Sequence, residues 1–191
     1  MNVIFLDFDG VIDTYYYRTD EQMESKIKIL ADICKRYDCK VVIEASAKDA
    51  IDEETMEVEE DAIRTKKIFE YFKKYGIECI GRTPRVKKYH SNDKRSYVDI
   101  WKEDEIRLYL MRHPEIEHYC VIDDDDLKAM RCKSDLDKVR PHLVTTELYD
   151  EDNPKNEGLQ SHHEEGVGKV LKLDNEIRNM ILRRNARNKN K

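Results

Sequence analysis

Four apolar residues, Val3-Ile4-Phe5-Leu6, run directly into Asp7-Phe8-Asp9-Gly10. The apolar run has the length and composition of a buried strand, and both acids sit at its carboxyl end. Two carboxylates at i and i+2 on an extended chain point the same way and repel. Such a pair needs a cation, a proton or a substrate that uses it. Gly10 then turns the chain. The plain alternative is an Asp/Gly turn after an edge strand; three further motifs, in order downstream, weigh against it.

The rest of the chain alternates two periodicities. Helical spacing of Met23, Ile27, Leu30, Ile33 and Cys34 predicts a helix over Glu21–Tyr37, and Val41-Val42-Ile43 marks a buried strand within Lys40–Ala45. Glu54–Tyr75 reads as a helix stopped by Gly76, followed by a strand over Ile77–Ile80. A helix over Glu103–His113 stops near Pro114; His118–Ile122 and Leu143-Val144 are strands, and Gln160–Arg184 is a closing helix. Thr83–Arg95 and Tyr149–Glu157 are the loosest segments. Strands alternating with helices give βαβ units and a mainly parallel sheet, an α/β fold whose ligands bind at the carboxyl ends of the strands.

A second acidic strand end carries the next signal. Tyr119-Cys120-Val121-Ile122 leads into Asp123-Asp124-Asp125-Asp126, and four acids after an apolar strand suit a hard cation. Asp125 and Asp126 serve equally well as caps for the following turn. Glu44, inside an otherwise apolar strand, has to face a polar neighbour or the end of the sheet. His90, His113, His118, His142, His162 and His163 lack metal-site spacing with the acids and read as structural or solvent-facing; no P-loop or Rossmann glycine pattern is present.

The strand ending in Asp-x-Asp-Gly-Val resembles the first motif of the haloacid dehalogenase (HAD) superfamily, most of whose members transfer phosphoryl groups. The resemblance implies a three-layer Rossmann-like fold with a minimal cap or none. It casts Asp7 as a nucleophile forming an aspartyl-phosphate, and Asp9 as the acid and base for leaving group and water, with its backbone carbonyl on the metal. Gly10, Ser46 and Lys102 fall at the substrate-binding positions: Ser46 ends the second strand and donates to phosphoryl oxygens, and Lys102 opens the helix before the acidic strand, with Arg82 and Lys87 as competitors. Asp7, Asp9, Asp123 and Asp124 would make an oxygen cage for Mg2+, Asp124 directly and Asp123 through water. A narrower likeness links Gly81-Arg82-Thr83-Pro84, Glu105-Ile106, Val121-Ile122-Asp123-Asp124 and Gly158-Leu159 to the HAD domain of Swiss-Army-knife RNA repair proteins. That group usually shows Ser-Ser-Trp-Arg at the second motif and Arg-Gly before Glu-Ile, where this chain reads Ala45-Ser46-Ala47-Lys48 and Lys102-Glu103-Asp104.

The expected activity is therefore a Mg2+-dependent phosphohydrolase acting on a phosphomonoester. A 5′-nucleotidase-like or polynucleotide-end phosphatase is the alternative, and a non-catalytic HAD-fold binding module is the alternative of another class. The short spans from Asp13 to Glu21 and from Ser46 to Lys102 leave room only for a flap, one helix, one strand and one loop, so the cleft is expected to be open. The flap's Tyr15-Tyr16-Tyr17-Arg18 suits base stacking or plain packing.

At 191 residues the chain suits one hydrolase domain over 1–182, followed by a basic, disordered tail over 183–191. A net charge of −6 argues against the whole surface serving as a nucleic-acid platform. Five cysteines without a C-x-x-C pair read as free thiols of a cytoplasmic protein. No apolar run reaches the length of a membrane span.

Overall fold

The computed structural model describes residues 1–14, 19–85, 87–90, 93–99, 102–125, 139–146 and 157–172, with the backbone alone at 87–90, 93–99 and 140. Five strands form one parallel sheet: β1 (Asn2–Leu6), β2 (Cys39–Ile43), β3 (Cys79–Arg82), β6 (His118–Asp123) and β7 (Leu143–Thr145), in the order β3-β2-β1-β6-β7. β1 is central, with Leu6 paired to Ile43 on one side and to Ile122 on the other. Both faces of a parallel sheet are covered, so its strands are near-continuous apolar runs. This is why Val3–Leu6 and Val41–Ile43 carry no polar residue.

Alternation along β1 divides the core. Ile4 and Leu6 pack with Ile27 and Leu30 of α1 (Asp20–Tyr37), Ile68 and Phe72 of α2 (Ile63–Tyr75), and Val167 and Leu171 of a closing helix over residues 163–172. Val3 and Phe5 pack on the opposite face with Val42, Val121 and Ile106 and Tyr109 of α3 (Lys102–Arg112). The result is the expected three-layer α/β arrangement, with α3 among the elements on the face opposite α1 and α2.

Two segments differ from the sequence expectation. Helix α2 begins at Ile63, not near Glu54. Asp52 Oδ1 accepts from the backbone N–H groups of Glu54 (2.9 Å) and Thr55 (2.8 Å), and Met56 takes φ 58°. The Asp side chain thus captures the amides a helix would need for its first turn. Glu57 then has like charges at Glu60 and Asp61, three and four residues on, which a helix there would bring together. The second difference lies in the segment read as loose. β4 (Lys87–His90) and β5 (Asp93–Asp99) form an antiparallel hairpin between β3 and α3. A two-stranded insert at this point agrees with the minimal cap. The closing helix is seen over residues 163–172; its expected extension to Arg184, the basic run 183–191 and the flap residues Tyr15–Arg18 lie outside the described residues. Among the described residues no helix is long and apolar enough to cross a membrane.

Candidate active site

The core pairing extends into a row of acids. Phe5, Val42 and Val121 face α3 from strands β1, β2 and β6. Side chains alternate along a strand, so the residues two further on, Asp7, Glu44 and Asp123, fall on the same face. They are level with one another, each just beyond the paired Leu6, Ile43 and Ile122. Backbone bonds continue the ladder there: Glu44 N–H donates to Leu6 O (2.8 Å) and Asp7 N–H to Ile122 O (3.0 Å). Three carboxylates in strand order β2-β1-β6 therefore line the carboxyl edge of the sheet, all nearly inaccessible to solvent.

Two lysines answer them. Lys102, at the first turn of α3, places its ammonium between Asp7 Oδ2 and Asp123 Oδ2, 2.8 Å from each. Asp7 Oδ1 accepts from Phe8 N–H (2.8 Å) and Asp123 Oδ1 from Asp125 N–H (2.9 Å), so each carboxylate is fixed at both oxygens. Burial opposes the charge on Lys102, but Asp123 and Asp7 outweigh it and hold the ammonium above its ordinary range. Burial foremost, then Asp123, pushes the Asp7 carboxyl up to about 7. The same two causes push Asp124 up to about 6. Of the two candidates whose side chains are described, Lys102 reaches these acids, while Arg82 donates to Ile51 O (2.6 Å) and to Thr83 O (3.3 Å); the side chain of Lys87 lies outside the described residues.

Asp7, Asp123 and Asp124 bring carboxylate oxygens within 4.8 Å of one another. One ammonium among three carboxylates leaves negative charge uncompensated, and the donors are all hard oxygens, so the site fits Mg2+. Gly10 makes this approach feasible. Its φ is +70°, and a Cβ there would overlap the Asp124 carboxylate. The Asp9 side chain stands outside this group; Ser46 Oγ donates to Asp9 Oδ2 (2.9 Å), joining the first and second motifs. The loop that carries Asp9 and Gly10 is closed by Gly10 N–H on Asp13 O (2.9 Å), and Asp13 is gripped through both oxygens by Arg64. Thr146 Oγ1 donates to Gly10 O (3.2 Å) from the end of β7. Asp126 lies outside the described residues.

The third acid of the row has its own cation. Lys48, 1% exposed, donates to both oxygens of Glu44 (3.1 Å each), to Thr83 Oγ1 (2.7 Å) and to Glu105 Oε2 (2.5 Å). Thr83 Oγ1 also bonds Glu44. Burial pushes the Glu44 carboxyl up to about 7 against the pull of Lys48. Glu44 signalled this cluster as a misplaced charge; Lys48, Thr83 and Glu105 stood in the sequence as separate motif positions, with nothing to show that they meet. Glu103, buried beside Lys102, has no hydrogen-bond partner for either oxygen among the described residues, and burial raises its pKa.

The histidines stay out of the acidic group among the described residues. His142 stacks on Tyr119, His113 stacks on Tyr109, and His163 accepts from Gln160 N–H (2.9 Å). Cys34, Cys39, Cys79 and Cys120 are free thiols.

A family profile described as the HAD domain in Swiss Army Knife RNA repair proteins matches residues 3–150. That span holds all the acids and both lysines of the row. No curated protein and no solved structure matches the chain.

Proposed function

We propose, for a chain that belongs to the HAD domain family of Swiss Army Knife RNA repair proteins, a Mg2+-dependent phosphohydrolase that acts on a phosphomonoester through an aspartyl-phosphate. The observation that carries this reading is the Lys102 ammonium held 2.8 Å from both Asp7 and Asp123, beside Asp124. Asp7, Asp124 and the Asp9 carbonyl would hold Mg2+, with Asp123 acting through water, and the ion would supply charge neutralisation for the phosphoryl oxygens. Asp7 attacks phosphorus, forming a P–O bond as the ester P–O bond breaks. Asp9 gives its proton to the departing oxygen. In the second half Asp9 takes a proton from water, the hydroxyl oxygen bonds phosphorus, and the bond to Asp7 breaks to release inorganic phosphate. Lys102 and Ser46 hold the phosphoryl oxygens, and Gly10, at the substrate-binding end of the first motif, leaves room for the Asp124 carboxylate.

The family's description names RNA repair, which favours a polynucleotide end as the finer substrate. The basic run Arg183–Lys191 and the flap sequence Tyr15-Tyr16-Tyr17-Arg18 are the features of this chain that suit such a substrate. A 5′-nucleotidase-like activity is the remaining reading, on the strength of Asp123-Asp124. The free thiols support a reducing, cytoplasmic setting.

The test is phosphate release from nucleotides, sugar phosphates and phosphorylated oligonucleotides, with Mg2+ and with EDTA. EDTA-sensitive release from at least one class is expected. Failure across all three, or release unaffected by EDTA, would remove the reading.

A further inference from the structure

Lys48 lies among four elements: Glu44 follows β2, Lys48 belongs to the 3-10 turn Ser46–Ala50, Thr83 follows β3, and Glu105 is on α3. Two of these elements carry groups of the site. Ser46 is two residues before Lys48 on the same short turn, and it donates to Asp9 at 2.9 Å. Lys102 is one helical turn before Glu105 on α3, on the same side of the helix. The Lys48–Glu105 contact of 2.5 Å therefore ties the turn bearing one phosphate donor to the helix bearing the other. The Glu44 contact fixes the same lysine to the sheet edge, level with Asp7.

We propose that Lys48 is a positioning residue for the phosphoryl reaction: by bridging Glu44 and Glu105 it sets the Ser46 turn against the helix that presents Lys102. All three ammonium N–H groups have acceptors in a site closed to water, which makes the geometry specific in a way a solvated lysine is not. Lys48 also binds both oxygens of Glu44, the third carboxylate of the row, and so fixes that carboxyl beside Asp7.

This inference rests on the proposed phosphohydrolase reading, and the experiment separates the two. The probe is p-nitrophenyl phosphate with Mg2+, and rates are taken per folded molecule well below each variant's melting temperature. Lys48→Met is expected to lose at least ~30-fold in kcat with KM within about threefold, because displaced donors cost most at the transition state. Lys48→Arg, which keeps the charge and several donors, is expected to restore kcat to within about fivefold of wild type. A merely structural lysine would lower melting temperature in both variants without this split. Should Lys48→Met fail to fold, Glu105→Met decides: it leaves Lys48 paired with Glu44 and cuts its link to α3, and a kcat loss of about tenfold or more is expected. Wild-type kcat in folded Lys48→Met, or in Glu105→Met, overturns the proposal, as does a Lys48→Arg variant as slow as Lys48→Met. If the wild type fails to hydrolyse the probe, the functional reading falls. The inference is then judged by calorimetric binding of orthovanadate, a mimic of the five-coordinate transition state, in Mg2+, expected to weaken in Lys48→Met and survive in Lys48→Arg. Equal affinity in all three, or no binding to wild type, overturns it.

Discussion

At the scale of single residues, the buried acids make distinct predictions. Asp7→Asn is expected to stay folded and to lose at least ~10³-fold in kcat, since an amide cannot attack phosphorus. Near-wild-type phosphate release by this variant would eliminate the covalent route. Glu44 offers a test by stability. Its carboxyl, raised from 4.5 to about 7 by burial, binds a proton in the folded protein over a range where the unfolded chain has released it. Stability from this group is thus full below about pH 4.5 and falls as pH rises through 7. Glu44→Gln fixes the neutral form. Its melting temperature relative to wild type should climb between those limits, by up to about 3 kcal/mol in unfolding free energy. A difference that stays flat across this range would mean that Glu44 is ionised in the folded protein throughout.

At the scale of elements, the site depends on a backbone bend as much as on side chains. Gly10→Ala would place a methyl group in the left-handed region, costing about 1–2 kcal/mol, and would also push Asp124 away from Asp7. Reduced thermal stability together with loss of Mg2+ binding by calorimetry is expected; unchanged Mg2+ affinity would show that Asp124 is not a ligand. The elements themselves were legible to differing degrees. The apolar runs at Val3, Val41 and Tyr119 announced three neighbouring strands because burial on both faces leaves no polar alternation to confuse the pattern. The acids that end the first and third of those runs, with Lys102, were legible because motif spacing is local. Residues 54–62 depart from the helix that the spacing predicts because hydrophobic spacing cannot register that Asp52 has captured the amides of Glu54 and Thr55. The hairpin at Lys87 and Asp93 was missed because its strands are charged and lack an apolar face in sequence. The Lys48 cluster joins residues from four places in the chain; Lys48, Thr83 and Glu105 stand in separate motifs, and the misplaced charge of Glu44 is the sign that a buried partner exists.

At the scale of the whole molecule, ion binding and folding are linked. Mg2+ should bind the native acids and not the unfolded chain, so saturation to 100 times Kd is worth about 2.7 kcal/mol. For a chain of 191 residues this corresponds to roughly 5–10 °C in melting temperature. Asp124→Asn should abolish that rise while leaving the metal-free protein at least as stable, because one buried repulsion is gone. A full Mg2+-induced rise in Asp124→Asn would place the ion elsewhere.

The central position of β1 carries a kinetic consequence. Its two partners come from distant parts of the chain, Ile43 on one side and Ile122 on the other. A topology built on such pairings has high contact order, and its slowest step closes the largest loops. Asp7 meets Asp123 and Asp124 only when β6 docks, so a partly folded chain holding β1, β2 and α1 would have Asp7 without its acidic partners. A chain emerging from the ribosome would pass through its aggregation-exposed stages without the assembled acid cluster, and the proposed centre would arrive in a single late event. In refolding experiments, Mg2+ capture should follow the same rate constant as burial of the sheet core; capture ahead of that phase would mean that β1 and β6 meet early.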